Sequence, residues 1–119
     1  MNNYMENEDK DKREFRRFET RLQISLFYGH LVYSGIVTNI SERGMFISTK
    51  RRFPVDSMLV TSLIGDEPIQ VPVQIKRMVS PVNTRDAGEY GIGVHILRGS
   101  SDYLDFFGNH MSRQMKFTL

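Results

Sequence analysis

Leu31-Val32-Tyr33-Ser34-Gly35-Ile36-Val37-Thr38-Asn39-Ile40 runs into Ser41-Glu42-Arg43-Gly44 and out again through Met45-Phe46-Ile47-Ser48-Thr49. Both flanks are rich in β-branched and aromatic residues, the composition of strands. The connection between them carries Ser and Gly after an Asn, residue types that punctuate tight turns. The stretch therefore predicts two neighbouring strands joined by a bend. Gly44 is expected at positive φ, which glycine adopts without steric cost, and Gly35 is expected to mark a bulge.

Outward from this stretch the same grammar repeats. Phe18, Thr20, Leu22, Ile24 and Leu26 alternate with Glu19, Arg21, Gln23 and Ser25, the period-two pattern of a half-buried strand, and Gly29-His30 turns it back. Downstream, Lys50-Arg51-Arg52 and Phe53-Pro54-Val55-Asp56 form a loop before a strand from Met58 to Ile64. Ile69, Val71, Val73 and Ile75 alternate with polar residues and Pro72, a residue that cannot donate to a ladder and so predicts an edge or a bulge. A polar loop spans Pro81 to Gly88, and Tyr90, Ile92, Val94 and Ile96 make a sixth strand. The period then changes: Leu104, Phe107, Met111 and Met115 fall on one helical stripe widened by Tyr103 and Phe106, with Ser100 or Ser101 as cap and Asp102 in the first turn. The fold class is all-β with a terminal helix over 100–116.

A chain of 119 residues is expected to hold one domain with a modest core and little room for a second module. No apolar run approaches the roughly 20 residues of a membrane-spanning helix. Cysteine is absent, which removes disulfides, thiolate nucleophiles and cysteine-ligated zinc and suits a cytoplasmic location. His30, His95 and His110 show no metal-ligand spacing, there is no Gly-x-x-x-x-Gly-Lys phosphate loop, and no nucleophile, base and orienting group share a recognisable spacing. Neither an enzyme, a metal site nor a cofactor is expected. Residues 1–12 are too polar to offset ordering entropy and are read as a flexible tail.

Net charge is only +2, but the cations cluster. Lys10, Lys12, Arg13, Arg16, Arg17 and Arg21 precede or enter the first strand, and Arg43, Lys50, Arg51 and Arg52 follow the Asn39 bend. If the fold gathers them, one face becomes an anion funnel; interleaved Glu8, Asp9, Asp11, Glu14 and Glu19 could instead pair with them locally.

Arg13-x-x-x-Arg17, then Asn39-x-Ser41-x-x-Gly44, then Gly91-Ile92-Gly93-Val94 occur in this order, and together they resemble the PilZ domain, a bacterial receptor for cyclic di-GMP. The resemblance implies a six-stranded antiparallel β-barrel over 18–97 with the helix packed on it, and a ligand-binding arm over 13–17 within a domain spanning 13–119. It implies that Arg13 and Arg17 hold guanine and phosphate, that Asn39 and Ser41 read guanine, and that Gly44 shapes the turn, with Lys12, Arg16 and Arg43 as secondary contacts. Such an assignment is chemically apt. A guanidinium can bond bidentately to phosphate or to guanine O6 and N7 and can stack on a purine, where lysine supplies charge alone. Asparagine accepts from guanine N–H groups but lacks the charge of the more usual aspartate.

Arg17-Phe18-Glu19-Thr20-Arg21 offers a second register for the arginine pair, so Arg17/Arg21 competes with Arg13/Arg17. The family reading implies a sensor whose altered surface engages an effector protein, in motility, attachment or exopolysaccharide pathways. Two alternatives remain: a PilZ-fold interaction module without dinucleotide binding, and a barrel for single-stranded nucleic acid, for which steep salt dependence would be the mark.

Overall fold

The computed structural model describes residues 16–80, 89–97 and 101–118. The expected tail over 1–12, Lys12, Arg13, the polar loop over 81–88 and the Ser100 cap lie outside them. Six strands, β1 (Phe18–Tyr28), β2 (Leu31–Ile40), β3 (Gly44–Thr49), β4 (Met58–Leu63), β5 (Ile69–Val79) and β6 (Tyr90–Ile96), precede one helix, α1 (Ser101–Thr118). The strands close into a barrel in the order β1-β2-β3-β6-β5-β4, every neighbouring pair antiparallel. The six-stranded barrel with its terminal helix is the architecture expected from the periodicities and the resemblance.

Alternation places Ile24, Leu26, Val37, Ile47, Val71, Val73, Ile75 and Ile92 inside, each essentially without solvent exposure. Burying a side chain of this size contributes about 1.5–3 kcal/mol, so the barrel interior is the main source of stability. One end is closed by Phe53, whose ring meets Tyr28 and Tyr33 edge-on with centroids 5.4 and 5.5 Å away. The other end is closed by α1. Phe107 faces Phe18 at 6.1 Å, Thr20 Oγ1 and His110 Nε2 share a 2.9 Å hydrogen bond, and Tyr103 is buried in the core.

Three expectations require correction. Leu104 does not face the barrel: it is about half exposed, and the packed face is Tyr103, Phe106, Phe107 and His110 instead, because the barrel end presents the aromatic Phe18 and a polar Thr20. Pro72 marks neither an edge nor a bulge. The β5–β6 ladder begins beyond it at Val73↔Ile96, and its carbonyl accepts from the Leu97 N–H at 3.0 Å. The side on which proline lacks a donor therefore lies past the last pair of that ladder. The β2 irregularity sits at Thr38, between Val37 and Asn39, and not at Gly35, which pairs in register with both neighbours.

Candidate functional site

The Ser41–Gly44 bend is held from within. Ser41 N–H donates to the Gly44 carbonyl at 2.9 Å, while Ser41 Oγ accepts from the Gly44 and Arg43 amides at 3.1 and 3.3 Å. Serine suits this position because one hydroxyl reaches two successive amides. Tyr103, from α1, donates its hydroxyl to the Ser41 carbonyl. Burial pushes the Tyr103 pKa well above its ordinary value, with the Glu42 carboxylate adding to the rise, so the hydroxyl stays a donor at neutral pH.

Gly44 does not have positive φ; among the described glycines only Gly29 does. Gly44 opens β3 opposite His95, and a Cβ there would lie 2.7 Å from the Val94 carbonyl oxygen. The requirement is close approach of two backbones rather than a left-handed turn.

Beside the bend the sheet re-aims two side chains. Val37 points inward and is fully buried, so strict alternation would send Asn39 inward as well. The extra residue at Thr38 breaks the alternation, and Asn39 pairs instead with outward-facing Phe46; Thr38 Oγ1 secures the bulge by donating to the Phe46 carbonyl at 3.3 Å. The same device recurs in β5. Ile75 is buried, the register shifts at Lys76, and Arg77 emerges on the outside opposite Gly93. Bulges commonly re-aim side chains at functional sites in this way.

These registers align one outer row across five strands, Glu19–Asn39–Phe46–Gly93–Arg77. Over the row lies an open cleft of about 350 Å³ lined by Arg17, Phe18, Glu19, Asn39, Phe46 and Arg77. At its rim Arg17 Nη1 donates to Asn39 Oδ1 at 3.2 Å across 22 residues of sequence. Arg77 lies over the Phe46 ring, 5.8 Å from its centroid, within reach of a cation–π contact.

Of the residues expected to form the site, Arg17 and Asn39 meet in this cleft. Ser41 and Gly44 stand behind it as parts of the bend, and Ser41 is buried. Arg43 is exposed on the bend, and Arg16 sits over the Phe18 ring at 5.5 Å. Arg21 is exposed within β1 and does not line the cleft. Lys50 and Arg51 border a separate cleft of about 450 Å³ with Tyr33 and Glu89, so among the described residues these two cations are not gathered with Arg17. Phe46 and Arg77 were not anticipated. Phe46 had a signal, an aromatic residue in the strand after the motif facing a Gly-x-Gly strand. Arg77 had none, since its exposure depends on the bulge at Lys76. Among the described residues no group of three or more His, Asp or Glu side chains is placed to hold a metal ion.

The sequence profile of the PilZ domain matches residues 11–110, and the chain belongs to that family. Among solved structures the fold is similar to the Bacillus subtilis inhibitor of motility MotI/DgrA, with 12% identity, a TM-score of 0.71 and 88% of this chain covered against 52% of that one. It is also similar to MrkH, described as a c-di-GMP-dependent transcription regulatory factor, with 15% identity, a TM-score of 0.66 and coverage of 87% and 51%. The chain thus spans about half the length of either neighbour. No curated protein matches it in sequence.

Proposed function

We propose that this chain is a cytoplasmic receptor for cyclic di-GMP that performs no chemistry on the ligand and presents its occupied surface to an effector protein. The observation that carries the reading is the meeting of Arg17 with Asn39 at a cleft beside the Ser41–Gly44 bend. A planar donor fork and a carboxamide acceptor, side by side, complement a phosphate and the N–H edge of guanine. Arg13, four residues before Arg17, supplies the second guanidinium, and Lys12, Arg16 and Arg43 add weaker contacts. Ser41 and Gly44 act by fixing the bend from which Asn39 is presented. Membership of the PilZ family and a fold shared with a c-di-GMP-dependent regulator support this assignment.

Calorimetry at fixed salt with cyclic di-GMP, GTP and a short oligonucleotide tests it. Wild type should bind only the cyclic dinucleotide. Arg17→Ala and Asn39→Ala should each weaken binding by roughly 10- to 100-fold, the scale of hydrogen bonds to charged groups, and Arg21→Ala should stay within about twofold, since that side chain is not in the cleft. A wild-type protein indifferent to cyclic di-GMP, or one that prefers the oligonucleotide with a steep salt dependence, would overturn the proposal.

A further inference from the structure

At the far end of the cleft from Asn39, Arg77 is seated with unusual care. Its stem lies flat on β6: a Cβ at Gly93 would stand 3.0 Å from its Nε and 3.1 Å from its Cγ. The Phe46 ring lies closer still over Gly91, where a Cβ would be 2.4 Å from Cζ. Two alternate glycines thus make room for an aromatic ring and a guanidinium side by side, and the guanidinium covers the ring. The guanidinium carbon lies over the Phe46 ring, 5.8 Å from its centroid, and the Arg77 side chain is exposed to solvent and lines the cleft.

We infer that Arg77 is a further ligand-binding residue, holding a purine base on the guanidinium plane with Phe46 behind it. The inference rests on the cyclic di-GMP reading and deepens it. Asn39 and Arg77 are separated by β3 and β6, three inter-strand steps of about 4.8 Å, or roughly 14 Å. That breadth exceeds what one base can occupy and suits a ligand with two. Asn39 and Arg17 take one guanine, and Arg77 takes the other. Arg17 approaches from just ahead of β1, whereas Arg77 belongs to the sheet and is carried by the bulge at Lys76. A planar cation stacked between two π-systems is a role lysine does not fill.

The test is calorimetric titration of the full chain with cyclic di-GMP, using wild type, Arg77→Ala, Arg77→Lys and Phe46→Leu, with ligand-free melting temperatures for each. Arg77→Ala should weaken binding by roughly tenfold or more. Arg77→Lys should recover little of the loss, Phe46→Leu should fall between, and Arg51→Ala, in the separate cleft, should bind as wild type. Intermolecular NOEs from the Arg77 methylenes to a guanine H8 should be present in the wild-type complex. Wild-type affinity in Arg77→Ala would overturn this inference while leaving the receptor reading intact. Full recovery by lysine would reduce Arg77 to a charge and refute the stacking role. A loss of affinity matched by a fall in ligand-free melting temperature would assign Arg77 to the fold. No binding by wild type would remove both readings together.

Discussion

Replacing Tyr103 by phenylalanine removes one oxygen atom and tests how the terminal helix is tied to the bend. Its ring packs near Phe107, centroids 6.4 Å apart, and phenylalanine keeps that contact. What is lost is the hydrogen bond to the Ser41 carbonyl, with a weaker one to Gly44 at 3.5 Å. A net hydrogen bond is worth about 1 kcal/mol, and leaving a buried carbonyl without its donor raises the cost toward 1–3 kcal/mol. For a domain of this size each kcal/mol lowers the melting temperature by roughly 3–6 °C, so a fall of roughly 5–15 °C is expected by circular dichroism or calorimetry. A pH series adds a second readout. The folded pKa of Tyr103 lies above the ordinary 10.0 because the side chain is buried. Its contribution is therefore complete below about pH 10 and is lost as pH rises through the folded value. Tyr103→Phe should lack that part of the alkaline decline. A variant as stable as wild type, with the same alkaline profile, would refute the idea that the helix holds the bend through this hydroxyl.

Gly44→Ala should destabilise by about 1–3 kcal/mol, the usual cost of forcing a methyl into a packed site, because the new Cβ meets the backbone of Val94; chemical denaturation measures it, and a neutral result would show that β3 and β6 can separate locally at no cost. His110 has a pKa below its ordinary 6.5, first from burial and then from Arg113, and its neutral ring is the form that packs against Thr20 and Phe106. Since the folded value is depressed, its contribution is present above pH 6.5 and is lost as pH falls through the folded value; urea titrations from pH 7.5 to 5 should show that decline, and His110→Gln should diminish it.

All six strands and the helix were legible because each carries β-type composition or a period long enough to survive a local break, and β2 was bounded correctly at both ends. What the sequence concealed was the side on which particular residues emerge. Asn39 is two positions from fully buried Val37 and would share its face but for one extra residue at Thr38, and Arg77 stands in the same relation to Ile75. Neither Thr38 nor Lys76 carries the glycine or proline that usually advertises such a break, so the bulges are fixed by pairing with distant strands. The motif glycine was legible as necessary but not for the right reason: only the opposite strand reveals that a methyl would strike Val94. The outward turn of Leu104 was equally hidden, since helical periodicity defines a stripe but not which part of it meets the aromatic barrel end.

The antiparallel seam between β3 and β6 joins Phe46 to Gly93, and the cleft that runs from Arg17 and Asn39 to Arg77 lies across it. Neither the first half of the chain nor the second contains both walls of the cleft. A nascent polypeptide must therefore release β5 and β6 from the ribosome before the cleft exists, and a proteolytic fragment ending ahead of those strands would lack Arg77 and the Gly93 floor beneath it. Closure of the barrel and completion of the cleft are, in this fold, a single event.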